Sequence, residues 1–338
     1  MKKGVFILLL FAGLMSCKKE YSSGFVKDNN LQINDTTWSN TFNFQSLAMT
    51  ITNDLSVSPY VGTISYTSSG IDNDDDIFNS NIYRFSIPKN SLMNTITNKP
   101  FTNGTISLKL LAVNSNGEFV RNYASTFINN QQYQSIGFYN ISISHNDTLL
   151  NIKPGSSIHL YIKDSISNVL SIKNINILKG NGYDITDNQF QWIPDSIASR
   201  NLDYWNSQGT NSQIGYDVTL TGSGWVSLIT PNYNPPPTSN SKINVYLPVN
   251  FTNNNTFVYA VQQGSKNVSR LIPDFPSRTF TLSNLPYNQN LTIVTVSKID
   301  NQYYLGYLTS DYNVHQSIFQ VIPQQITIAN LIDYLNTL

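Results

Sequence analysis

The sequence predicts an all-β protein: two antiparallel β-sandwich domains joined by a less regular segment, with a short C-terminal amphipathic helix. Three observations carry that expectation. Helix formers are scarce, with two glutamates and seven alanines in 338 residues, whereas twenty tyrosines, seventeen phenylalanines and abundant Ile, Val and Thr favour strands. Forty-five asparagines are interleaved with β-branched and aromatic residues instead of forming tracts, which suits turns and outer faces. Period-two alternation recurs at short spacing, punctuated by clusters such as "NSNG", "HND" and "KPGS".

Taken in order, residues 1–16 read as a signal peptide: Lys2 and Lys3 make a positive start, and Val5 to Ala12 is an apolar run. That run is too short for a spanning helix, which needs roughly twenty residues. Leu14-Met15-Ser16-Cys17 resembles the bacterial lipobox, with an aliphatic residue at −3, a small one at −1 and the cysteine at +1. The resemblance implies cleavage after Ser16 and a diacylglycerol thioether on Cys17. Each buried CH₂ contributes about 0.8 kcal/mol, so two or three chains hold almost permanently. Cys17 is the sole cysteine, so a lipidated mature chain has no thiol left for a disulfide, a nucleophile or a metal.

Residues 17–30 read as a lipid-anchored tether. From about residue 31 strand patterns begin, and residues 31–165 are assigned to the first sandwich. "GTISLKLLAV" sets Ile106, Leu108, Leu110 and Ala112 on one face, with Ser107 and Lys109 on the other. "NISIS" turns Ile141 and Ile143 inward, and "SSIHLYIK" does the same for Ile158, Leu160 and Ile162 while His159 and Tyr161 point outward. Alternation thins over 166–222, where Trp192 and Trp205 pin a connecting segment. Residues 223–338 form the second sandwich, with Pro235 to Pro237 in a long loop. At the end, Ile328, Leu331, Ile332, Leu335 and Leu338 follow helical spacing after Thr327, a suitable N-cap.

"RFSIPKNSLMNTITNKPFTNGTISLKLLAV" and "YNISISHNDTLLNIKPGSSIHLYI" resemble the N-terminal sandwich of uncharacterised Bacteroidota surface lipoproteins, itself similar to the ZU5 fold. "GSGWVSLITPNYN" resembles the segment that opens the second domain of the same proteins, with Ser227 and Ile229 in place of the usual Asn and Asp. The likeness covers residues 80–165 and 220–310. It implies architecture and an address in the outer membrane, facing the surface or the periplasm. It implies no reaction.

Composition narrows the function classes. Lys+Arg and Asp+Glu balance at 20 each, and losing Lys2 and Lys3 leaves 18 against 20, a net of −2. Nothing favours a polyanion, so nucleic acid is set aside as a partner. Three histidines, His145, His159 and His315, form no ligand motif, and "TGSGW" around Ser223 lacks the nucleophile-elbow spacing. No cofactor is expected. Asp72, Asp74 and Asp76 alternate as in calcium loops, but Ile77 stands where such a loop has Gly, so a solvated loop is preferred to a weak calcium site.

Candidate glycan contacts are Trp225, Tyr233, Tyr303, Tyr304, Tyr307 and Tyr312, weighed against ordinary core and cross-strand roles. Thr36, Thr148, Ser165 and Ser196 lie in triplets that resemble the O-glycosylation acceptor of this bacterial group. The leading expectation is a non-catalytic cell-envelope lipoprotein for interaction or adhesion, partnered by the membrane and by another envelope protein. The alternative is a glycan-binding accessory lipoprotein of a polysaccharide-uptake system. An enzyme ranks third.

Overall fold

The computed structural model describes residues 37–40, 44–67, 73–75, 82–128, 130–164, 175–184, 189–195, 200–201, 215–231, 241–313, 315 and 317–338. In chain order, α1 (Phe44–Leu55) leads into β1 (Tyr60–Thr67), β2 (Asn73–Asp75), β3 (Tyr83–Ile87), β4 (Leu92–Asn94) and β5 (Asn103–Val113). After α2 (Asn116–Arg121) come β6 (Phe127–Ile128), β7 (Gln131–His145), β8 (Thr148–Ile152) and β9 (Ile158–Lys163). Then follow β10 (Asn176–Asp184), β11 (Gln189–Pro194), β12 (Arg200–Asn201), β13 (Gly215–Leu220) and β14 (Gly224–Pro231). The last stretch holds β15 (Lys242–Tyr246), β16 (Thr256–Gln262), β17 (Val268–Arg270), β18 (Ile272–Asp274) and β19 (Thr279–Ser283). It ends with β20 (Gln289–Ile299), β21 (Gln302–Tyr312), β22 (Ile318–Gln320), β23 (Gln324–Ile326) and α3 (Ile328–Leu335).

The protein is all-β, with a short helix at its C-terminus. The strands form four sheets. Sheet I runs β12-β13-β9-β3-β2 and sheet II runs β1-β5-β7-β14-β10-β11, with β4, β6 and β8 attached. Sheet III runs β17-β16-β20-β21-β23 and sheet IV runs β18-β19-β15-β22. Pairing is antiparallel apart from β15 against β22. Three cores separate the sheets. Ile106, Leu108, Leu110, Ile141, Ile143, Ile158, Leu160 and Ile162 meet between sheets I and II, as their alternation predicts. Ile243, Val245, Phe280 and Phe319 of sheet IV meet Val258, Ala260, Leu291 and Ile293 of sheet III.

The middle core lies between sheets II and III. It joins Val113, Phe138, Trp192 and Ile229 to Phe257, Tyr259, Val294, Val296 and Leu305, with α1, α2 and α3 packed around it. Sheet III is therefore apolar on both faces, and sheet II is so only where Val113, Phe138, Trp192 and Ile229 turn to the middle core, Lys109 on β5 being exposed. On β16, Phe257 and Tyr259 face the middle core while Val258 and Ala260 face the third. Two-sided burial explains why "TFVYAV" is an unbroken apolar run instead of an alternation.

Four placements differ from the sequence reading. Residues 44–55 are helical, because Leu47, Ile51 and Leu55 recur at four-residue spacing and turn one face to the middle core. The described parts of 166–222 are regular strands: β13 pairs with β9 and β10 pairs with β14. Trp192 sits on β11 with its ring 4.8 Å from that of Phe138. Strand β14, assigned by sequence to the second sandwich, pairs along its length with β7 of the first.

Asparagine has the role its frequency suggests. Among the described residues, Asn90, Asn98, Asn130, Asn146, Asn284, Asn288 and Asn301 all adopt positive φ, a region that Asn tolerates better than most residues. Asn146 and Asp147, with φ of 45° and 61°, make the two-residue turn between β7 and β8. Such paired positive values mark the primed turns that match strand twist.

Candidate functional site: an aromatic cleft beside the middle core

The site starts from a helix end. Ser115 caps α2, accepting a hydrogen bond from the Glu118 amide, while the Glu118 carboxylate accepts from the Ser115 amide at 3.1 Å. This reciprocal capping box fixes where the helix begins. At the other end the Ala124 amide donates to the Phe119 carbonyl at 2.8 Å, and Tyr123 between them has φ of 55°. Glycine usually fills that left-handed position. A bulky aromatic there is an outlier that must be held by its surroundings.

Tyr123 is held at its ring by two neighbours. The Phe257 ring centroid is 4.4 Å away, tilted by 44°, and the Arg270 guanidinium lies 4.1 Å from the Tyr123 centroid. The connector after Tyr123 is stitched to β17. Thr126 donates its amide to the Val268 carbonyl at 2.7 Å, and the Val268 amide donates to Thr126 Oγ1 at 2.9 Å. Ser125 Oγ accepts from the Arg270 amide at 3.2 Å. Arg270 is thereby fixed at its backbone and along its side chain.

These residues line a cleft of about 140 Å³, with Phe127, Phe138, Trp192 and Trp225 as further aromatic wall and Asn122, Ser125 and Arg270 as its polar groups. Ile272, 36% exposed, stands at the rim and Leu282 lies buried beneath. For scale, an engineered apolar cavity of ~150 Å³ holds one benzene. Trp225 is the second residue of β14, directly after Gly224, whose φ of 104° lets the chain turn sharply into the strand. The cleft is mostly aromatic wall; of its polar groups, Asn122 Nδ2 donates to the Glu118 carbonyl at 2.8 Å and Ser125 Oγ to the Val268 carbonyl at 3.2 Å.

No protein-family model matches this chain, nor does any curated protein or solved structure. The cleft stands on its own chemistry.

Of the residues singled out by sequence, Trp225 reaches the cleft. Tyr303 and Tyr312 are corrections: they are 3% and 0% exposed, turned into the middle and third cores, and offer no face to a sugar. Tyr304 is half-buried beside Phe251, and its hydroxyl donates to Gln302 Oε1 at 3.2 Å. Tyr307 is 60% exposed and stacks on Tyr334 with centroids 4.6 Å apart. The tyrosines of β21 thus spread over both faces and do not form a strip.

Cys17, Thr36, Asp72, Asp76, Ser165, Ser196, Trp205, Tyr233 and Pro235 to Pro237 lie outside the described residues. Asp74 is on β2, and Thr148, half-buried, opens β8 beside the Asn146-Asp147 turn. Among the described residues no three His, Cys, Asp or Glu side chains converge as metal ligands. The histidines have local roles. His145 Nδ1 donates to the Thr105 carbonyl at 2.7 Å, and His159 Nδ1 is 3.0 Å from Asp217 Oδ1. Ser223 Oγ donates to Asn151 Oδ1 at 2.8 Å, tying the turn before β14 to β8.

Sequence reasoning missed Tyr123, Phe127, Phe138 and Arg270. Only Tyr123 had a readable signal: Ser115-x-x-Glu118 announces a helix start, and a helix of that length must end near Tyr123.

Proposed function

We propose that this chain is a non-catalytic cell-envelope lipoprotein, lipid-anchored through Cys17, whose β-rich body serves interaction or adhesion at the outer membrane. The observation that carries the reading is the lone cysteine in Leu14-Met15-Ser16-Cys17 behind a charged and then apolar leader. Its resemblance to Bacteroidota surface lipoproteins with a ZU5-like sandwich supports the same address. The test is fractionation of native cells with radiolabelled palmitate. Cys17→Ser is expected to lose label and leave the membrane fraction; unchanged partitioning would refute the anchor.

One observation favours the second reading, a glycan-binding accessory lipoprotein of a polysaccharide-uptake system. The cleft combines Trp192, Trp225 and Tyr123 with Asn122, Ser125 and Arg270 in a volume of about 140 Å³. Aromatic faces stack on the C–H faces of a sugar ring. A few placed polar groups in a mostly apolar wall are what orients a bound small molecule.

A further inference from the structure

Resting on the reading of a chain anchored through Cys17, we propose that one end of sheet IV seats on the bilayer surface. The seat is an apolar tip of Tyr246, Val249, Phe275 and Ile322, with Arg278 beside them for a lipid phosphate. These residues come from three strand ends. Strand β15 ends at Tyr246 and leads to Val249, the β18-β19 turn carries Phe275 and Arg278, and β22 runs out to Ile322. Antiparallel pairing sets the end of β15 beside the start of β19, Val245 lying opposite Phe280. Parallel pairing brings in the end of β22, where the Val321 amide donates to the Tyr246 carbonyl at 3.1 Å. Val249 is 79% exposed, Ile322 68%, and Tyr246 and Phe275 42% each. Single exposed apolar side chains are ordinary, whereas four gathered at one end mark an interaction surface.

Where the chain enters the body selects a bilayer as the occupant. Asn253 and Asn254, just after the turn that carries Val249, hold residues 37–39. The Ser39 amide donates to Asn253 Oδ1 at 3.0 Å, and Asn253 Nδ2 donates back to the Ser39 carbonyl at 2.6 Å. Asn254 Nδ2 donates to the Thr37 carbonyl, and the Trp38 ring lies 5.3 Å from that of Phe280. Cys17 precedes Thr37 by twenty positions, so the chain that carries the lipid joins the body beside the tip. A body tethered from this end presents it to the leaflet that holds the lipid. The backbone of the tip suits that neighbour. Pro248, Pro276 and Pro323 have no N–H to leave unbonded. The Phe251 amide donates to the Pro248 carbonyl at 2.9 Å, Asn255 Nδ2 to the Asn250 carbonyl at 2.9 Å, and the Arg278 amide to the Phe275 carbonyl at 3.3 Å. Each backbone group bonded internally is one less to strip of water at a lipid surface. Among the described residues of these turns, Asp274 pairs with Lys242 at 3.5 Å, which leaves the exposed Arg278 as the unpaired charge. A guanidinium fork matches phosphate.

The experiment uses the lipidated protein, purified from native membranes and reconstituted into phosphatidylcholine vesicles. Lipid consumes the Cys17 thiol, so an introduced cysteine is the one thiol available to a nitrobenzoxadiazole probe. A probe on Val249→Cys is expected to shift to the blue on reconstitution and to lose emission when the vesicles carry doxyl-labelled lipid. A probe on Ile96→Cys, 77% exposed on the turn after β4 of sheet II, is expected to do neither. Phe275→Asp with Ile322→Asp, both at exposed positions, should return the Val249 probe to its aqueous emission. Arg278→Glu alone should weaken the quenching, and an unchanged signal would remove the phosphate contact from the proposal. Near-UV circular dichroism reports whether each variant folds; if Val249→Cys does not, a probe on Ile322→Cys takes its place. Protein that floats with the vesicles but keeps an aqueous probe at 249 overturns the seat and leaves the anchor standing. Quenching at 249 and 96 alike overturns the assignment to this tip. A 249 signal that follows only the number of copies per vesicle gives the tip to a second copy and overturns the bilayer. Protein that does not float overturns the anchor and this inference together.

Discussion

Asp54, in the last turn of α1, lies 2.6 Å from the Lys298 ammonium and 2.6 Å from the Tyr303 hydroxyl. The hydrogen bond from Lys298, then that from Tyr303, holds its carboxyl below the usual carboxylate range, against a smaller opposing effect of burial. A depressed folded-state pKa contributes stability above the unfolded value, near 3.9, and loses it as pH falls through the folded one. The Asp54 side chain is 36% exposed and solvent screens the pair, so Asp54→Asn is expected to lower Tm by only about 1–3 °C at pH 7. The gap to the unaltered protein should shrink to nothing on titration below pH 4, as differential scanning fluorimetry will show. Nothing in the local sequence announces this contact, because its partners are 244 and 249 positions away. The same holds for Arg270 and Tyr123. Side chains that meet across the fold leave no spacing to read.

Among the helices, α3 was legible from its stripe: Thr327 accepts the Asn330 amide at 3.3 Å, and Leu331 and Leu335 are buried while Ile328 is 42% exposed. Helix α1 has the same kind of stripe over Leu47, Ile51 and Leu55, masked by the β-branched Thr50, Ile51 and Thr52 that favour strands. Burial against the middle core overrode that preference. Where α2 meets α3 the approach is so close that a side chain on Gly117 would meet the Leu335 carbonyl oxygen at 1.7 Å. Gly117→Ala must push the two helices apart, at a cost of about 2–3 kcal/mol. Urea unfolding is expected to show a lower midpoint with an unchanged slope; no shift would mean the helices already stand apart.

Across the whole molecule, the first core was legible and the middle one was not. Period-two alternation reports strands with one wet face, which gave Ile106, Leu108, Leu110, Ile141, Ile143, Ile158, Leu160 and Ile162 directly. The strands that serve two cores lose that signature, so sequence leaves sheets II and III without a common neighbour. The cleft shares that obscurity, being lined from both sides of the middle core. Side-chain bonds cross there as well: Asn116 Nδ2 donates to the Ser265 carbonyl at 2.9 Å, and Gln289 Nε2 to Gln132 Oε1 at 3.0 Å. A calorimetric scan is therefore expected to give one transition for the strand-bearing body. Fragments ending at residue 231 or starting at 241 should each expose an apolar sheet face and precipitate; two separate transitions would show that the halves fold alone.

Strand β14 fills the place between β7 and β10, so β7 keeps an open hydrogen-bonding flank until residue 231 has been made. During synthesis from the N-terminus, sheet II cannot close on that side until β14 has followed β7 out. An unpaired strand flank is a template for pairing with other chains, so that wait is an interval of exposure to aggregation.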